Sequence, residues 1–192
     1  MKIRRMTSCR MKKVEAGISL LEVMIAGVVL MVGLLVGVLP MLTYGVAALR
    51  STDEETIAKQ KARQIMESVY GARNTTQLGW DAINPVGTCT TTGSSTVCGV
   101  FVTGTQNMYG AGADGIVGTA DDASAGIETI TMANGQTRTL DELQRTITIG
   151  PYTMPDGSIS PALRTLKIDV AYPVGNGFTR TYTLQTLISQ YK

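Results

Sequence analysis

The sequence predicts an α+β protein: a long N-terminal membrane-spanning helix packed on an antiparallel β-sheet head. Three observations predict it. Residues 23–39 carry no polar side chain at all, and with their neighbours they approach the roughly 20 residues that cross a bilayer core. From Ile57 to Tyr70, apolar residues recur every three or four positions, the period of a helix with one buried face. In the last third of the chain, apolar and polar residues alternate with the period of two that marks strands.

The N-terminal segment is basic. Of 17 Lys and Arg and 15 Asp and Glu in 192 residues, six basic residues (Lys2, Arg4, Arg5, Arg10, Lys12, Lys13) and one acid (Glu15) precede Gly17. That leaves 11 basic and 14 acidic residues after it. Positive charge beside an apolar run stays in the cytoplasm, so the N-terminus faces in and the rest faces out. The mildly acidic remainder gives no electrostatic reason to expect nucleic-acid binding. Cys9 falls on the reducing side. Cys89 and Cys98 fall in the exported part, where a disulfide forms and persists.

The apolar run is longer than the core of a secretory signal peptide, and only Ala47-Ala48 beyond it offers a weak cleavage signal. A simple anchor is the other plain reading. Neither accounts for Glu22. A charge at the centre of a membrane helix costs on the order of 3 kcal/mol, less near an interface, and the run holds no Lys, Arg or His to offset it. The nearest cation would be a free α-amine made by cutting just upstream.

Lys12-Lys13-Val14-Glu15-Ala16-Gly17 followed by Ile18-Ser19-Leu20-Leu21-Glu22-Val23 resembles the prepilin signal of type IV pilins and type II secretion pseudopilins. Ile18 stands where the family usually has Phe. The resemblance implies a basic leader over 1–17, removed by a prepilin peptidase between Gly17 and Ile18. It further implies N-methylation of Ile18 and an assembly salt bridge from Glu22 to the Ile18 amine of a neighbouring pilin subunit. Leu20, Glu22, Val23, Ala26, Leu30, Gly33, Leu34 and Leu35 also fit the run shared by pilus-modification (PilV-type) minor pilins, and I-type pseudopilins share much of it. A head of more than a hundred residues favours the minor pilin of a type IV pilus; the pseudopilin of a type II secretion system is the alternative. The implied partners are the peptidase, other pilin subunits and an inner-membrane assembly platform. The implied location is the inner membrane, single-pass with the N-terminus cytoplasmic, and then the filament at the cell surface.

Residues 18–39 form the membrane and filament-packing half of the helix. Gly33 and Gly37 make a GxxxG pattern, common by chance in apolar runs. Pro40 lacks a backbone donor and is expected to kink or loosen the helix. The amphipathic half covers 40–73. Ile57, Ala58, Ala62, Ile65, Met66, Val69 and Tyr70 form its apolar face, with Glu54, Glu55, Lys59, Lys61, Arg63 and Glu67 on the other. Ser51 to Glu55 reads either as a cap at a break or as a polar patch on one unbroken helix. An unbroken helix from Ile18 to the end near Gly71 is on the order of 80 Å long.

The exported head covers 74–192. Strands are expected at 100–102, 127–132, 145–149, 163–172 and 178–188, with PVGNG turning the last two into a hairpin. Cys89 and Cys98 flank TTTGSSTV and predict a small loop closed by a disulfide, structural because no CxxC motif and no His accompany it. In GAGADGIVGTADDASAG, residues 110–126, Asp114, Asp121 and Asp122 sit among glycines. A solvated turn is the favoured reading and a calcium site the other, although the spacing does not match an EF-hand. Asn74-Thr75-Thr76 fits a glycosylation acceptor, a pattern of little weight.

The chain has no His, which removes Ser-His-Asp and Cys-His catalysis and His-ligated metals. No phosphate-binding glycine loop is present. The expectation is a protein that is not an enzyme and carries no cofactor unless calcium binds the head.

Overall fold

The computed structural model describes residues 19–132, 135–174 and 177–191. They form an α+β protein with one N-terminal helix, Leu20–Asn74, and antiparallel sheets. Two units divide the chain, one up to Val46 and the other Ala47–Lys192.

The helix begins as α1 (Leu20–Gly33), passes through a π-helical turn at Leu34–Val38, and continues as α2 (Leu39–Asn74). The π turn lies immediately before Pro40. Proline removes one backbone donor and crowds the carbonyl four residues earlier, here Val36. Widening that turn makes room for the ring, so the expected loosening takes the form of a π turn inside a continuous helix. No break occurs at Ser51–Glu55. Thr52 and Thr56 instead donate their hydroxyls back to the carbonyls of Ala48 (3.1 Å) and Thr52 (2.9 Å), the satisfaction open to such residues within a helix.

In the head unit, α2 buries Ile57, Ala58, Lys61, Ala62, Ile65, Val69 and Ala72. Ala58 and Ala62 are fully covered, and their small side chains let the backbone approach the sheet. Lys61 is a correction to the expected polar face. It lies four residues from both Ile57 and Ile65, so the helical period places it on the buried side, where it needs a partner.

The main sheet has the order β3-β6-β7-β8: β3 (Thr105–Asn107), β6 (Gln144–Thr153), β7 (Ile159–Val174) and β8 (Phe178–Ser189). All neighbours are antiparallel. Ile147, Ile149, Leu166, Ile168, Val170, Tyr172 and Ile188 point to the face covered by the helix and complete the core. Each such aliphatic side chain contributes about 1.5–3 kcal/mol by leaving water. β7 and β8 form the expected hairpin. The last residues of β7 extend beyond β6, so Pro173 pairs with Thr179 of β8 alone, where a missing donor is tolerated.

Two expected strands differ. Residues 100–102 make only a parallel bridge, Pro85 with Phe101. Residues 127–132 contribute β4 (Thr129–Thr131), which pairs with β5 (Thr137–Thr139) as a separate hairpin rather than joining the main sheet. A third hairpin, β1 (Cys89–Thr92) with β2 (Ser95–Cys98), sets Cys89 opposite Cys98. The two are disulfide-bonded, as the sequence predicts.

Candidate functional site

The N-terminal half of the helix is uncovered among the described residues. Every residue from Ser19 to Arg50 is exposed, including Leu20, Val29, Leu30, Val36 and Met41. A helix apolar on all sides is stable only against lipid or other helices, and this one is long and apolar enough to cross a membrane. Glu22 sits in its first turn, where the helix dipole favours a carboxylate. The Ser19 carbonyl accepts the N–H groups of Glu22 (2.9 Å) and Val23 (3.2 Å), which fixes the start of the helix. Between Ser19 and Leu49 there is no Lys, Arg or His. Arg50, the next cation C-terminal to it, is 28 residues along the chain. Gly17 and Ile18, the expected cleavage and methylation positions, lie outside the described residues.

The glycine-rich segment of the head brings its acids together. Asp114, Asp121 and Asp122 place one carboxylate oxygen each within 4.8 Å of one another. Asp122 opens a short helical turn, α3 (Asp122–Ala125), and is buried. Its Oδ1 accepts the Gly112 N–H (2.9 Å), and its Oδ2 accepts the Gly118 N–H (2.6 Å) and Arg145 Nη2 (2.5 Å). Asp121 accepts the Thr119 hydroxyl (2.6 Å) and the Asp114 N–H (3.1 Å), and Asp114 accepts the Ile116 N–H (2.8 Å). The Thr119 hydroxyl bond, then the backbone bond from Asp114, hold the Asp121 carboxyl below its ordinary value against the opposing effect of burial.

The three carboxylates lie close enough together to share a cation, and the bonds they already make would compete with one. Asp122 is committed to a guanidinium and two N–H donors, and a cation at the same oxygen would face the positive charge of Arg145. Calcium held here would need loop carbonyls and water beside Asp114 and Asp121 to reach the six to eight oxygens it takes. The segment is not a wholly solvated turn, because Ile116, Val117 and Thr119 are buried along with Asp122. Two glycines make the packing possible. A Cβ at Gly112 would collide with Asp121, and Gly118, at φ +105°, packs against Ile147 and Phe101.

Arg145 belongs to no motif and stands out by no feature of composition. Yet the alternation through Ile147 and Ile149 puts Arg145 on the inward face, and that parity was the available signal. The same holds for Lys61, whose ammonium donates to Glu128 Oε1 (2.6 Å) and Gln64 (2.9 Å). Glu54, also from α2, pairs with Arg138 of β5 at 2.6 Å. These two ion pairs fasten the β4–β5 hairpin to the helix.

No protein-family model matches the chain, and no curated protein or solved structure matches it either.

Proposed function

We propose that the chain is a minor pilin subunit of a type IV pilus, processed by a prepilin peptidase and held in the filament by its N-terminal helix, where it aids assembly, adhesion or motility. The observation that carries the reading is Glu22: a single carboxylate in the first turn of α1, otherwise apolar and uncovered among the described residues, with no Lys, Arg or His from Ser19 to Leu49. In a low-dielectric bundle an ammonium and a carboxylate need each other. Cleavage after Gly17 creates such an ammonium at Ile18, and a neighbouring subunit presents it to Glu22. The cost of the buried acid thereby becomes a force for docking and register. The helical half on the head supports the reading, since it buries one face in its own sheet, and the exposed apolar residues of α1 are suited to packing on other helices.

On this reading the protein first resides in the inner membrane, N-terminus in and head out, and meets an assembly platform and other pilin subunits. It does no chemistry of its own. A pseudopilin of a type II secretion system would use the same helix; the shared apolar run from Leu20 to Leu35 favours it equally, and the size of the head favours the pilus. Loss of piliation on deletion supports the first, and loss of exoprotein release the second.

Glu22→Ala tests the role of the carboxylate. The variant is expected to insert in the membrane as well as the parent and to drop out of sheared filaments. Normal incorporation of Glu22→Ala removes the reading.

A further inference from the structure

β8 is one edge of the main sheet and runs 12 residues, paired to β7 at every position without a register shift. In an antiparallel ladder each residue turns its N–H and C=O to the same side, and successive residues turn to opposite sides. Contacts at the end of the strand fix the phase. The Gln190 N–H donates to the Ala162 carbonyl (2.8 Å), so even-numbered positions face β7. The Tyr70 hydroxyl donates to the Leu187 carbonyl (2.6 Å) and Arg73 Nη1 to the Ser189 carbonyl (2.8 Å), so odd-numbered positions face away. Thr179, Thr181, Thr183 and Gln185 therefore turn four N–H and four C=O groups outward along about 20 Å of strand. Among the described residues these groups have no partner.

Sheet proteins blunt open edges with short strands, Lys, Pro or bulges. The opposite edge follows that rule, since β3 is only three residues long. β8 does not. It contains no Lys, Pro or Gly, and its one charge is Arg180.

We propose that Thr179–Gln185 of β8 accepts an extended segment from the head of a neighbouring subunit as a fifth, antiparallel strand. The inference rests on the filament reading above. Thr181, Thr183 and Gln185 are exposed on the outer face of the sheet, and Tyr182 and Leu184 are half-buried toward the helix. The segment that fits alternates polar and apolar residues and carries a carboxylate opposite Arg180. A two-fold β8–β8 pair is excluded. Its axis would run normal to the sheet and turn the two α2 helices in opposite directions, which chains emerging from one membrane cannot satisfy. The donor is therefore a different strand of the next head, in a head-to-tail contact of the type that extends filaments.

Residue-by-residue amide exchange tests this on the full chain, in detergent micelles and in filaments. The amides of Thr179, Thr181, Thr183 and Gln185 should exchange freely in micelles and at least about tenfold more slowly in filaments. Those of Tyr182 and Leu184, bonded to β7, should be slow in both. Equal exchange of the four outward amides in the two states overturns the inference. Thr183→Pro provides a second test, because that nitrogen carries no bond within the fold and proline is tolerated on such an edge. The variant gives up the Thr183 hydroxyl bond to Asp169 (2.6 Å), so it should keep the fold and melt slightly below the parent, and it should lose protection at Thr181 and Gln185, or leave the filament. A folded, assembled Thr183→Pro chain with parental protection also overturns it. A parent chain never recovered in filaments overturns the filament reading and this neighbour with it, whereas recovery with an unprotected β8 edge overturns the strand addition alone.

Discussion

Arg145 Nη2 lies 2.5 Å from Asp122 Oδ2, and both side chains are only 1% exposed. The pair joins β6 to the glycine-rich segment, beside the apolar anchorage that buried Ile116 and Val117 provide. Arg145 Nη1 also donates to the Tyr109 carbonyl (3.0 Å), so the guanidinium bonds both ends of the segment, while Nε has no partner among the described residues. Removing one member strands a buried charge. Asp122→Ala is expected to cost about 3–5 kcal/mol in denaturant unfolding of the full chain. Adding Arg145→Met to it should restore much of that loss, because the uncompensated charge goes. A loss below about 1 kcal/mol for Asp122→Ala would mean that the pair contributes little to the fold.

The disulfide acts locally. Cys89 and Cys98 are nine residues apart and close a hairpin that is almost wholly exposed. Outside the bond, Thr91 and Thr96 share a hydroxyl–hydroxyl bond across it at 3.0 Å. Replacing both cysteines by serine is expected to cost no more than about 2–3 kcal/mol, the chain-entropy value for so short a loop. The main sheet should stay folded, as read by far-UV circular dichroism and thermal melting. Collapse of the whole head would show that the hairpin supports more than itself.

The head should weaken in acid and be indifferent to pH near neutrality. At Asp169, burial raises the carboxyl pKa, but bonds from Lys167 Nζ (2.7 Å) and Thr183 Oγ1 (2.6 Å) lower it and prevail, leaving it below the ordinary 3.8. Asp121 is held below 3.8 as well. A carboxyl depressed by folding stabilises the protein above its unfolded pKa, and the contribution is lost as pH falls through the lower, folded value. Melting temperature should therefore drop as pH falls below about 4, and stay level from about pH 6 to 8 because the chain has no His. Asp169→Asn should make the acid limb shallower. A transition centred near neutrality would contradict this assignment.

Periodicity carried most of the fold. The helix and β6 to β8 follow from apolar spacing of three to four and of two, because each buries one continuous face. The short strands β1, β2, β3 and β5 left no such trace. They are rich in threonine and exposed or half-buried, so cross-strand pairing rather than an apolar face defines them. In the head, Asp114, Asp121 and Asp122 stood out by composition, but their roles depended on Arg145, 23 residues beyond Asp122. Charges such as Arg145 and Lys61 read as surface until their phase is compared with the isoleucines on either side. At the N-terminal end of the helix, Glu22 was legible because a lone acid in an apolar run conflicts with its setting.

The most direct test of the filament reading is the mass of the mature protein isolated from cells with an active prepilin peptidase. The account predicts a chain that begins at Ile18, its amine bearing one methyl group, with residues 1–17 gone. A mature chain that retains Met1 to Gly17 would contradict it.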